Sequence, residues 1–275
     1  MAITLPPNGS PELAGVRAKL ARAQDHFEDL HARIEASLAP KPDGEAPPLT
    51  TKVDPNSQSI IFGIPEAKPL DAVLPLIIGD CLHNLRSALD HLVLQLALIK
   101  GTSISDAQDK TSFPVVLDLK DFLSKTRRFS KLIKPEALTA IEEVQPYKTS
   151  NPPNTSFLWL LSELDIIDKH RLLVVVSKKF KMTEIAGTMG NFQRILIDPV
   201  TEHWKSHEDG AELFTVEFSA GEPTKMHMEV QTAHTVQFAD TGLVCDGGIV
   251  EDVINGCGGF VEKIIDDFGH RFFGE

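Results

Sequence analysis

Lysine and arginine are in short supply: 27 of them face 39 aspartates and glutamates, for a formal net charge of -12 over 275 residues. That balance argues against avid, indiscriminate binding to nucleic acid or anionic lipid, although a local basic patch can still contact phosphate. Cysteine is scarce, with three residues (Cys81, Cys245 and Cys257), an odd number without metal-ligand spacing. They fit a reducing cytosol better than a disulfide framework. A single tyrosine and two tryptophans offer few stacking platforms, which disfavours recognition of single strands by base stacking. The longest apolar run, near 92–99, is too short to span a bilayer and contains Gln95. Met1-Ala2-Ile3-Thr4-Leu5-Pro6-Pro7 carries neither the basic nor the apolar region of an export signal, so a cytoplasmic protein without membrane contact is expected. Walker-type loops, dinucleotide-binding glycine patterns, nucleophile elbows and zinc-finger spacings are all missing, and no cofactor is expected.

Hydrophobic residues make up 42% of the chain, enough for a proper core in one large or two modest domains. Ser10 is a good N-cap, Pro11 suits the first helical position, and Leu13, Val16, Leu20, Ala23, Phe27, Leu30, Ile34 and Leu38 recur at spacings of three and four. This seam, about 40 Å long, predicts a bundle helix, with a dimer seam as the alternative. Residues 50–53 and 59–64 read as a short hairpin, and 70–100 as a helix kinked or started by Pro75. Asp118 can cap a basic amphipathic helix running to about 133; further helices follow over 135–145 and 155–169. Runs at 172–176, 192–197, 213–218 and 226–230 are strand-like, and helical spacing returns over 249–273, interrupted by Gly256, Gly258 and Gly259. The expected fold class is α+β: a helical bundle of about four long helices with a short N-terminal hairpin, residues 1–170 plus 248–275, and a β-rich subdomain at 171–247 between the third and last long helices.

Within the helix over 70–100, residues 79–92 carry seven polar or charged side chains among leucines. Burying such groups costs roughly 1–3 kcal/mol each unless they are partnered, so a structural network or a site is implied. Asp80, Asn84, Ser87 and His91 fall within a stripe roughly 60° wide, beside a second cluster of His83, Arg86 and Asp90. Arg86 and His91 form an R-x4-H spacing, with Cα directions about 140° apart, so they share a site only if Arg86 reaches around. Histidine can move protons near neutral pH, and arginine can hold a phosphate through two donors. The rival reading is an Arg86–Asp90 i,i+4 bridge, with His91 satisfying Asn84 or Ser87 in a buried network.

Asn84-Leu85-Arg86-Ser87-Ala88-Leu89-Asp90-His91 resembles the R-x4–6-H motif of the HEPN superfamily. The resemblance implies an all-helical, often dimeric protein of the kind that includes metal-independent ribonucleases in bacterial toxin, antiphage and RNA-processing systems. It assigns proton transfer to His91 and phosphate stabilisation to Arg86, oriented by Asp90 and Asn84, with Asp80, His83 and Ser87 in support. The chain also resembles a group of bacterial proteins in which an HNLRSALDHL-type helix precedes FP, QPY and IDKHR segments. Here these are Phe113-Pro114, Gln145-Pro146-Tyr147 and Ile167-Asp168-Lys169-His170-Arg171, and this second likeness implies no activity.

Asp165 and Lys169 form an acid-before-base i,i+4 pair, and His170 or Arg171 could join the Arg86–His91 helix as a phosphate ligand or second proton-transfer group. Lys125, Arg127, Arg128, Lys131 and Lys134 make a dense basic run. A solvated helix face explains it; functionally, Arg127, Arg128 and Lys131 are the candidate phosphate contacts. The expectation is an HEPN-like, metal-independent endoribonuclease or a degenerate RNA-binding relative, homodimeric, with RNA as partner. The alternative is a non-catalytic interaction or regulatory protein with a protein partner and a structural polar stripe. A further alternative is a metal-dependent hydrolase drawing on Asp80, His83, Glu163, Asp165, Asp168 and His170, although paired Glu-x-x-His motifs are missing and no metal ligand is assigned.

Overall fold

The computed structural model describes residues 11–38, 50–54, 59–63, 70–171, 173, 175–176, 181–189, 192–197, 212–218, 226–233, 236–239, 245 and 247–275. Helices predominate among them, and four are long: α1 (Ala14–Leu38), α2 (Leu74–Ile99), α7 (Phe157–His170) and α8 (Val250–Phe268). α2 touches each of the other three, and α8 also touches α1 and α7. The central position follows from composition, since α2 buries residues on most of its circumference, from Leu74 to Ala97. α1 shows the narrower stripe of an amphipathic helix, with Val16, Leu20, Ala23, Leu30 and Ile34 buried along it and Leu13 just ahead of it. Arg17 ties α1 to the other end of the chain, reaching Asp266 at 3.0 Å and the carboxylate of Glu275. Ser10, the expected N-cap, lies outside the described residues.

Pro75 sits in the first turn of α2, where its missing N–H costs nothing, so it starts the helix and does not kink it. Asp118 caps α4 (Leu119–Thr126) through the amide of Asp121, as expected, but α4 ends well short of residue 133. The carbonyls of the following turns are taken by the end of α2: Lys100 Nζ donates to Lys131 O at 2.6 Å and Ile133 O at 2.9 Å, and Thr102 Oγ1 to Leu132 O. Those bonds substitute for continued helix. Short helices α3 (Ile104–Ala107), α5 (Pro135–Glu143) and α6 (Pro146–Thr149) complete the set. Among the described residues no helix is long and apolar enough to cross a membrane.

β1 (Thr50–Asp54) and β2 (Ser59–Gly63) form the expected hairpin. It does not stay with the helical residues to which the sequence assigned it: β2 pairs antiparallel with β6 (Glu212–Phe218), which pairs with β5 (Phe192–Ile197). β4 (Lys181–Met189) pairs with β7 (Met226–Ala233), and β3 (Val175–Val176) with β8 (Gln237–Phe238). The last ribbon leads into the bundle, for Phe238 and Val250 N–H groups donate to Gly248 O and Val236 O at the start of α8. Leu173, Val236 and Phe238 are buried in the same core as the helices.

Gly256 on α8 lies where a Cβ would come within 2.2 Å of the Phe157 ring of α7, whereas one at Gly258 would meet nothing within 4 Å. Close approach of α7 and α8 therefore needs the first glycine and not the second. Gly258→Ala is expected to raise the melting temperature through up to about 1 kcal/mol of helix propensity. Gly256→Ala should forfeit that gain as the ring is displaced, so equal melting temperatures would refute the close-approach reading.

Candidate functional site

Residues 113–116 run extended, with no strand alongside them among the described residues, so their peptide groups need other partners. Side chains supply them. Asp90 Oδ1 accepts from Phe113 N–H at 2.8 Å, and Arg86 Nη2 donates to Phe113 O at 2.6 Å. The two α2 side chains also bridge each other at 3.1 Å. Gln145, fully buried between α5 and α6, donates to Pro114 O at 2.9 Å and accepts from Val116 N–H at 3.2 Å. Lys125 Nζ donates to Val115 O at 3.0 Å. The HNLRSALDHL, FP and QPY segments thus meet in one construction, a short extended segment held by side chains where a sheet would use a neighbouring strand.

This arrangement corrects the expected catalytic quartet. Arg86 and Asp90 are engaged with backbone and with each other, and Arg86 Nη1 is buried with no partner among the described residues. Asn84 is buried and spends its amide on Asp80 O, one turn back at 2.8 Å, so it orients neither Arg86 nor His91. His91 lies on another side of α2, its Nδ1 3.8 Å from where a Cβ on Gly15 of α1 would stand. The five-residue step turns the helix by about 140°, and Arg86 does not reach around because the 113–116 segment holds it. Asp80 and His83 are exposed, and Ser87 is half-buried. His170 and Arg171 are exposed at the end of α7 and do not line the groove that Arg86 faces; neither does Lys131.

α7 meets α2 through an acidic niche. Asp165, its side chain only 4% exposed, bridges Lys169 at 2.5 Å and lies 3.7 Å from His83 Nδ1. The Asp168 carboxylate stands where a Cβ on Gly79 would be, 2.5 Å from either oxygen. Burial, followed by the charges of Asp165 and Asp80, raises the Asp168 pKa against the opposing pull of His83 and Lys169. Among the described residues no group of three or more His, Cys, Asp or Glu side chains is placed to hold a metal, Asp80, His83, Glu163, Asp165, Asp168 and His170 included.

Beside the niche a groove of about 700 Å³ opens. Arg86 and Asp90 of α2 line it, with 112–115 along one wall, Ser124, Lys125, Arg127 and Arg128 from α4 and its end, and Ser162, Asp165, Ile166 and Lys169 from α7. Five cations face two carboxylates, each of which already bridges one cation. Lys125, Arg127 and Arg128 have no carboxylate partner among the described residues: Lys125 rests on Val115 O, Arg128 donates to Ser112 Oγ at 2.5 Å, and Arg127 has neither kind of partner. Two of the expected phosphate contacts, Arg127 and Arg128, are therefore here. Lys125 belonged to the same basic run but was not singled out. Gln145 appears in the sequence only as part of the QPY segment, without a role as a site residue.

Gln145→Leu leaves Pro114 O and Val116 N–H unpaired in the interior and is expected to destabilise the fold by about 2 kcal/mol or more. Arg86→Ala should act similarly through Phe113 O and an abandoned Asp90, whereas His91→Ala should cost little; urea titration of the three variants checks the order. Asp168 titrates higher in the folded chain than unfolded, so its ionisation opposes folding. The penalty is absent below the ordinary carboxylate range and grows as pH rises through the raised value. Asp168→Asn should melt above wild type at pH 7 and lose that advantage below about pH 4, read by thermal melts across pH.

No family model matches the chain, and no curated protein or solved structure matches it either.

Proposed function

We propose that this protein is a non-catalytic RNA-binding relative of the HEPN type, in which the arginine of the R-x4-H pattern has become a structural clamp. The observation that carries the reading is the groove beside α4, where three cations unmatched by any described carboxylate converge in a chain of net charge -12. Neutral partners leave the full charge of Lys125 and Arg128 available to a ligand, and phosphate contacts supply most sequence-independent RNA affinity. Hydrolysis draws no support from the site, because Arg86 and His91 serve different sides of α2. The α+β architecture belongs to the same proposal: the helices carry the groove, and the strands of 171–247, joined by the 50–63 hairpin, form an accessory subdomain. Homodimerisation is part of what the HEPN likeness implies and stands as a proposal with it.

A second reading, recruitment of a protein partner, is favoured by the outer face of α4, where Leu119 and Leu123 are 48% and 61% exposed one turn apart. Large apolar side chains placed together on a surface are typical of contact sites.

Fluorescence anisotropy with labelled single-stranded RNA in EDTA tests the first reading. Affinity is expected to fall as salt rises, because Lys125, Arg127 and Arg128 displace counterions from the RNA phosphate they contact. Replacing Arg127 and Arg128 by Gln should flatten that dependence while the RNA stays intact on denaturing gels. Binding unchanged by those replacements, or no binding at all, sinks the proposal. Products ending in 2′,3′-cyclic phosphate, lost in His91→Ala, would restore the nuclease.

A further inference from the structure

Positive charge is unevenly distributed around the groove. On the α4 side Lys125, Arg127 and Arg128 have no carboxylate among the described residues. On the other two sides each cation is already matched, Arg86 by Asp90 and Lys169 by Asp165. A positive locus thus stands at one side and a carboxylate on each of the others. A phosphodiester chain crossing this groove would bring one phosphate to that locus, while its neighbours would meet walls whose cations Asp90 and Asp165 already neutralise. A terminal phosphomonoester differs: it carries a charge of about -1.5 to -2 at pH 7. It matches a three-cation locus, and the group attached to it can be uncharged.

The rest of the lining suits an uncharged nucleoside. Ser162 offers a hydroxyl, and Pro114 and Ile166 offer apolar surface, with Ile166 exposed although it is large and aliphatic. The volume, about 700 Å³, lies inside the span of roughly 300–1,000 Å³ that encloses a single small molecule. Such a space holds one terminal nucleotide more readily than a stretch of polymer.

We propose, building on the RNA-binding reading, that the groove is an end-recognition site: it takes the terminal phosphomonoester of an RNA. The phosphate lies among Lys125, Arg127 and Arg128, and its nucleoside lies toward Ser162 and Ile166. Occupancy draws Lys125 from Val115 O and Arg128 from Ser112 Oγ, while the Arg86–Asp90 and Gln145 clamps keep the wall in place. A free nucleoside monophosphate presents the same chemistry, and the experiment separates the two sources.

Short RNAs of one sequence, internally labelled, are compared by anisotropy with a 5′-phosphate, a 3′-phosphate or hydroxyls at both ends; AMP and adenosine are compared by calorimetry. A phosphorylated end should bind about tenfold tighter than the hydroxyl-ended strand. That preference should shrink as the phosphate loses its second charge below about pH 6. Arg127→Gln should abolish the preference without lowering the melting temperature, since Arg127 holds no partner among the described residues. Equal binding of phosphorylated and hydroxyl-ended RNA overturns end recognition and leaves RNA binding intact. Binding of AMP over adenosine with no binding of any RNA keeps the phosphomonoester site and removes the RNA reading. Failure of every phosphorylated ligand removes both.

Discussion

The backbone of residues 113–116 crosses beside α2 without a strand to pair with, and its peptide groups are satisfied almost entirely by side chains. A buried peptide group without a partner is costly, so this segment stays in place while Arg86, Asp90 and Gln145 clamp it, with Lys125 adding a contact at its more open side. Those residues come from three separate stretches of sequence: α2, α4 and the α5–α6 junction. Together they set the distance between α2, α4 and the α5–α6 junction, and the groove exists because that distance is set.

The same constraint settles which charges are available. Arg86 and Asp90 pair with each other while gripping Phe113, so neither brings an unmatched charge to the groove. Lys125 and Arg128 hold only a carbonyl and a hydroxyl, so their charge is oriented without being cancelled. Cationic character in the groove therefore comes from the end of α4 and not from the helix with the suggestive polar stripe. On the α7 side buried Asp165 pairs with the exposed Lys169, which keeps that wall close to neutral.

Helix contacts that position the groove depend on small residues at two places. Gly79 leaves room for the Asp168 carboxylate between α2 and α7, and Gly256 leaves room for Phe157 between α7 and α8. α7 is thus seated from both sides, and Ser162, Asp165, Ile166 and Lys169 face the groove as a result. The strands contribute to the helical core through the short β3–β8 ribbon, where Leu173, Val236 and Phe238 are buried.

Periodicity alone determined the long helices: the apolar seam of α1, the near-continuous burial of α2 and the Asp118 cap of α4 are all local properties, readable residue by residue. It also predicted the Asp165–Lys169 and Arg86–Asp90 bridges, since i,i+4 neighbours meet on any helix. What the polar stripe is for could not be read this way. Asn84, Arg86 and His91 look alike as polar residues on one helix, yet one bonds its own turn, one clamps Phe113 and one turns toward α1. Nor did spacing show that β2 pairs with β6, or that Gln145 reaches Pro114, because partners far apart in sequence are chosen by which surfaces meet when the chain is packed. Helix and cap are decided by neighbours along the chain; groove, clamp and unmatched charge are decided by neighbours in space.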